Sequence, residues 1–156
     1  MLHIVLYQPE IPHNTGAVGR LCLATGARLH LIKPLGFSLE DKYLKRSGLD
    51  YWAEVDVRAW DSWEALCDHA GTAAQFMFIE CQGERPYWEA DLSGGGDLYL
   101  MFGPETRGIP LAILARHPGR TWRIPMQGTR SLNLSTAVAV VLYEAVRQRA
   151  LTTPGW

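Results

Sequence analysis

The chain alternates short apolar runs with segments of helical spacing. The runs HIVLY (3–7), RLHLIK (28–33), AEVDV (53–57), QFMFIEC (75–81), LYLMF (98–102) and WRIP (122–125) predict strands. Between them, periodic or capped stretches predict helices at 14–25, 41–47, 61–70, about 108–116 and 135–149. Strand–helix alternation predicts an α/β domain, a mainly parallel sheet flanked by helices. FMFI and LYLMF show no polar alternation, as expected of strands covered on both faces. Residues 1–156 read as one domain. There is no internal repeat or low-complexity linker, and SGGGD (93–97) has the composition of a surface loop.

The last helix breaks the pattern. Its centre, AVAVVLY (137–143), has no polar side, and a helix apolar all round must be buried all round. A chain of 156 residues can hardly cover every side of its final helix. The expectation is a second copy, a symmetric homodimer; a central core helix is the alternative.

Charge changes the picture more than composition does. The net charge of −1 hides an uneven distribution: six Lys/Arg against four Asp/Glu in 1–50, three against eleven in 51–110, and six against one in 111–156. Basic ends brought together would offer phosphates a positive face, although an ordinary solvated surface also accounts for the bias. No apolar stretch nears the roughly 18 residues that span a bilayer. MLHIVLYQPE lacks the basic start and small-residue cleavage site of a signal peptide. Cys22, Cys67 and Cys81 form no C-x-x-C pair and read as reduced thiols of a cytoplasmic protein. The five histidines lack ligand spacing, so no metal is expected.

Familiar nucleotide signatures are missing: no G-x-G-x-x-G follows the first strand, and no phosphate-binding G-x-x-x-x-G-K-[ST] occurs. Three other loops carry candidate chemistry. In PEIPHNTGAVGR (9–20), Asn14 is placed to cap a helix. Arg20 lies nearly two turns further on, either as a surface residue or as a planar fork that clamps a phosphate. In LYLMFGPETRGIP (98–110), a buried strand delivers Gly103, Glu105 and Arg107 at its carboxyl end, where open α/β sheets bind ligands. A surface Glu105–Arg107 pair is the simpler reading. In RIPMQGTRSLNLSTAVAVVLYEAVRQR (123–149), a polar loop with Arg130, Ser131, Asn133 and Ser135 leads into a helix capped by Asn133 or Ser135.

Together and in this order, NTGAVGR (14–20), LMFGPETRGIP (100–110) and IPMQGTRSLNLSTAVAVVLYEA (124–145) resemble the SPOUT superfamily of RNA methyltransferases, in its SpoU branch. The resemblance extends over essentially the whole chain, including DKYLKRSGLDY (41–51), and is strongest to the short members that modify tRNA. It implies a deep trefoil knot near the carboxyl terminus, S-adenosylmethionine as methyl donor, and tRNA as substrate. The implied reaction is methylation of the ribose 2′-hydroxyl of the wobble nucleotide, cytidine or modified uridine, in leucine tRNAs. Another tRNA or rRNA site, or a non-catalytic RNA-binding dimer, is the alternative.

Carried over residue by residue, Ile79, Gly103, Ile124 and Ser131 would hold the cofactor, with Met126 and Leu132 around its adenine. A side chain on Gly103 would then occupy the cofactor's space. Arg20, Glu105, Asn133 and Asn14 match the active-site motifs, with Arg20 expected to grip the phosphate beside the target nucleotide. Tyr143 would lie in the dimer interface, and Trp52 and Trp88 are candidates for stacking RNA bases. FIECQG (78–83) departs from the threonine–lysine version found in relatives, and Gln127–Thr129 occupies a variable spot.

Overall fold

The computed structural model describes residues 1–40 and 49–152. The expected helix at 41–47 lies outside the described residues. The elements run β1 (Leu2–Tyr7), α1 (Pro12–Thr25), β2 (Arg28–Ile32), a 3₁₀ turn (Leu49–Glu54), β3 (Val57–Trp60), α2 (Trp63–Ala70), β4 (Gln75–Ile79) and β5 (Arg85–Pro86). A second 3₁₀ turn (Tyr87–Glu89) follows, then β6 (Leu98–Phe102), α3 (Leu111–Ala115), β7 (Thr121–Arg123) and α4 (Leu134–Ala150). The strands form one sheet in the order β3-β2-β1-β6-β4-β7-β5, and every pairing is parallel.

The unbroken apolar runs are explained by two cores, one on each face of the sheet. Ile4, Leu6, Leu100 and Phe102 point to one face, where Val18 and Cys22 of α1 and Val138, Val141 and Leu142 of α4 cover them. Val5, Tyr99 and Met101 point to the other and meet Trp63 and Leu66 of α2 and Ile113 of α3. A strand with period two therefore needs apolar residues at every position. Each fully buried aliphatic side chain contributes roughly 1.5–3 kcal/mol relative to leaving it in water.

Several elements differ from expectation. AEVDV does not form a strand at 53–57. Residues 49–54 make a 3₁₀ turn, and the strand begins at Val57. The cause is tertiary: Trp52 packs so closely on α1 that a Cβ on Gly19 would stand 2.5 Å from its ring. Asn14 does not cap α1. The helix starts two residues earlier, with Ile11 as its cap residue and Pro12 in its first turn, a position that suits proline's fixed φ and missing N–H. Asn133 does cap α4, accepting from the Ser135 amide at 2.9 Å.

Across β1, β2 and β3, two buried histidines form a hydrogen-bonded row with Trp60. The Trp60 indole N–H donates to His30 Nδ1 at 2.9 Å, and His30 Nε2 lies 2.9 Å from His3 Nδ1. An indole N–H can only donate, so neutral His30 carries its proton on Nε2 and passes the bond to His3. His3 Nε2 faces the Asp97 carboxylate at 3.5 Å. Burial pushes the His30 pKa from 6.5 down to about 3, with His3 and nearby arginines adding to it, and burial likewise lowers His3.

The native state thus binds fewer protons than the unfolded chain between about pH 3 and 6.5. Stability from this pair is full above that window and is lost as pH falls through it. His30 alone should cost about 2 kcal/mol between pH 7 and pH 5. Urea midpoints measured across that range should fall for the wild type. They should fall less steeply for His30→Gln, which gains no charge.

Candidate active site

A cavity of about 520 Å³ opens at the carboxyl ends of β4, β6 and β7. Its wall is built from four stretches far apart in sequence: Ile11 and Asn14, Ile79–Cys81, Phe102–Gly108, and Ile124–Ala137 with gaps. Asn14, Ile79, Gly103, Glu105, Ile124, Met126, Ser131, Leu132 and Asn133 all line it. Arg20 does not. It lies exposed on α1, its guanidinium carbon 5.6 Å from the centre of the Tyr51 ring. The Tyr51 hydroxyl donates to the Gly16 carbonyl at 3.3 Å, tying the first 3₁₀ turn to α1.

Glu105 is the hub of the polar wall. Its carboxylate accepts from the Glu10 amide at 2.8 Å, the Ile11 amide at 3.0 Å and the Asn14 side-chain amide at 3.1 Å. The carboxylate thereby serves the start of α1 from a loop more than 90 residues away, where its charge also suits the helix dipole. Asn14 in turn accepts from the Asn133 side-chain amide at 2.9 Å. A single network therefore joins the first loop, the loop after β6 and the start of α4.

The neighbouring contacts run the opposite way. The Thr106 hydroxyl donates to the Glu10 carboxylate at 2.7 Å, and Arg107 approaches Glu10 at 3.8 Å. Arg107 therefore pairs across loops with Glu10, and the surface Glu105–Arg107 pair does not form.

Gly103 is required by the loop itself. A Cβ there would stand 2.8 Å from the Ile109 nitrogen and 2.9 Å from the Gly108 carbonyl carbon. The loop after β6 folds back on itself, and its own backbone fills the space that a side chain would need. Gly103→Ala should cost about 1–3 kcal/mol, read as a lower urea midpoint with an unchanged slope.

The sequence reading missed Glu80. It directly follows β4, lines the cavity, and its carboxylate accepts a hydrogen bond from the Ile109 amide. Burial raises its pKa, opposed by backbone donors at Ile109 and Cys81. Its one sequence signal is a carboxylate directly after the apolar run QFMFI.

The walls suit a nucleoside more than a nucleotide. Ile79, Ile124, Met126 and Leu132 supply apolar surface, and the loops supply backbone donors and acceptors. Among the described lining residues, two carboxylates (Glu80 and Glu105) face one guanidinium (Arg107) and no lysine. That balance disfavours a phosphate and tolerates a positive charge. The size lies within the range of small-molecule sites.

The chain is similar to known proteins over nearly its whole length. The model of the SpoU rRNA Methylase family matches residues 1–143. The tRNA (cytidine(34)-2′-O)-methyltransferase of Methylovorus glucosotrophus is 51% identical over 150 residues, covering 95% of this chain and 96% of that protein. The Escherichia coli protein of the same name is 49% identical, covering 95% and 94%. A solved structure bearing on the 2-OH methylation of C/U34 on tRNA superposes with a TM-score of 0.89 at 51% identity, covering 97% of each chain. The SpoU methyltransferase AviRb of Streptomyces viridochromogenes, in complex with the cofactor AdoMet, gives a TM-score of 0.83 at 28% identity, covering 97% of this chain and 61% of that one.

Proposed function

This chain belongs to the SpoU rRNA methylase family, and from that premise we propose that it methylates the ribose 2′-hydroxyl of nucleotide 34, the wobble position, of tRNA. Leucine isoacceptors are the proposed substrates and S-adenosylmethionine the donor, in the cytoplasm. The observation that carries this reading is the meeting of the early, middle and late loops on one cavity, held by the Glu105–Asn14–Asn133 network. Near-full-length relatives named for this reaction support the choice of substrate.

When bound, S-adenosylmethionine supplies a methyl group on a sulfonium, which a ribose oxygen can attack in line. The residues of this chain do the positioning. Ile79, Ile124, Met126 and Leu132 enclose the nucleoside portion, while the loops at Gly103 and Ser131 present backbone groups to it. Arg20, outside the cavity on an exposed face of α1, grips the phosphate next to the target ribose. A guanidinium stays protonated in almost any site, so Arg20 acts as a clamp and not as a base. Orientation of this kind can supply a large part of the barrier reduction, on the order of 7–11 kcal/mol in favourable cases.

The working unit is proposed to be a homodimer. One face of α4 covers the sheet, but Tyr143 on it is 47% exposed, and Ile11 and Leu23 at the two ends of α1 are 42% and 39% exposed. The two helices pack side by side, so a second copy would cover both. Tyr143→Glu should convert the dimer to a monomer in sedimentation and reduce methylation with it.

The direct test is nucleoside mass spectrometry on tRNA treated with the purified protein and the donor. 2′-O-methylated nucleotide 34 in leucine tRNA is the expected product. Methylation confined to another position or to rRNA would overturn the substrate.

A further inference from the structure

We infer that Glu80 sets the charge preference of the cavity, so that a cationic sulfonium nucleoside is held more tightly than its neutral thioether product. This rests on the proposed cofactor.

Three features of the cavity wall single out Glu80. Its carboxylate is half-withdrawn from water at the carboxyl end of β4, and burial already works against its charge. It sits against the turn after β6: a Cβ on Gly108 would stand 3.1 Å from both of its oxygens. Its partners are neutral backbone N–H groups, at Ile109 and Cys81, so among the described residues no cation pairs with it.

The other charges of the wall are committed elsewhere. Glu105 already accepts from three donors. Arg107 is 65% exposed and leans towards Glu10. Glu80 is therefore the carboxylate of the described wall whose charge remains to be balanced, and a ligand carrying positive charge balances it. A neutral thioether of the same shape gains nothing from that charge. Two unit charges near a protein surface interact strongly enough, at separations of several ångströms, to shift an affinity by about tenfold or more. The consequence is functional: after methyl transfer, the product loses the interaction that held the donor, and the cavity empties more readily.

Glu80 also fastens the turn after β4 to the turn after β6, and a purely structural role would affect both ligands alike. The experiment separates the two roles. The full-length wild-type protein and Glu80→Gln are each titrated calorimetrically with S-adenosylmethionine and, separately, with S-adenosylhomocysteine. Glutamine keeps an acceptor for the Ile109 amide but not the charge.

The expected result is about a tenfold loss of affinity for the sulfonium in Glu80→Gln, with the thioether affinity changed less than about twofold. Equal losses for both ligands, or no change for either, overturn the inference. If the folded wild type binds neither ligand, the cofactor reading itself falls and takes this inference with it.

Discussion

Arg20→Ala should leave a folded protein that binds S-adenosylmethionine as the wild type does, yet methylates tRNA at least about a hundredfold more slowly. The expectation follows from where the side chain lies. Arg20 is exposed on α1, outside the cavity lining, and its guanidinium lies over the face of Tyr51. Among the described residues no carboxylate neutralises it. A cation held over an aromatic ring and otherwise facing water is available to a phosphate, and losing it removes no buried contact. Cofactor affinity should stay within about twofold, because sites without shared partners couple weakly.

Arg20→Lys should recover only part of the rate, since an ammonium cannot reproduce the planar two-pronged grip. Single-turnover kinetics alongside cofactor titration would read both quantities. Substantial residual methylation by Arg20→Ala would remove the clamp from the mechanism.

Glu105→Ala should be the most destabilising change in the site. It leaves the Glu10 and Ile11 amides and the Asn14 side chain without their shared acceptor, and Asn14 is buried. Each hydrogen bond to a charged acceptor contributes roughly 1.5–3 kcal/mol. The three share one partly exposed carboxylate and are not additive, so a total of about 2–4 kcal/mol is expected. Glu105→Gln, which keeps one acceptor oxygen, should fall in between.

Urea midpoints give the stabilities, and cofactor titration gives the second readout. Because Glu105 holds two walls of the cavity together, affinity should fall in step with stability across the series. A Glu105→Ala protein as stable as wild type would show that the network does not hold these loops.

The central sheet was legible in the residues because its signal is local and strong. Five apolar positions from Leu98 to Phe102 admit one reading when both faces of a strand are covered, and the structure buries all five. The same holds for the cavity loops: nine of the proposed site residues meet there, since motif order survives whatever path the chain takes between them.

What was not legible depended on distant partners. AEVDV alternates like a strand, but the packing of Trp52 over Gly19 decides the matter. Asn14 has the composition of a cap. The acceptor that actually serves the start of α1 comes from Glu105, and no local pattern announces a partner more than 90 residues away. β5 is two residues long, too short for any periodicity. Glu80 stayed hidden because the order of residues does not say which side chain at a strand's end turns towards a ligand.

The place of β1 has a consequence for biosynthesis. β1 is bordered by β2 on one side and by β6, starting at Leu98, on the other. While the ribosome adds the intervening segment, one edge of β1 stays open, a bare ladder of amides and carbonyls beside an apolar surface. Sealing it requires contacts separated by 96 residues along the chain, as between Leu2 and Leu98, and such distant pairings form slowly. Nascent chains that stop short of Leu98 should therefore be the ones that chaperones hold and proteases cut.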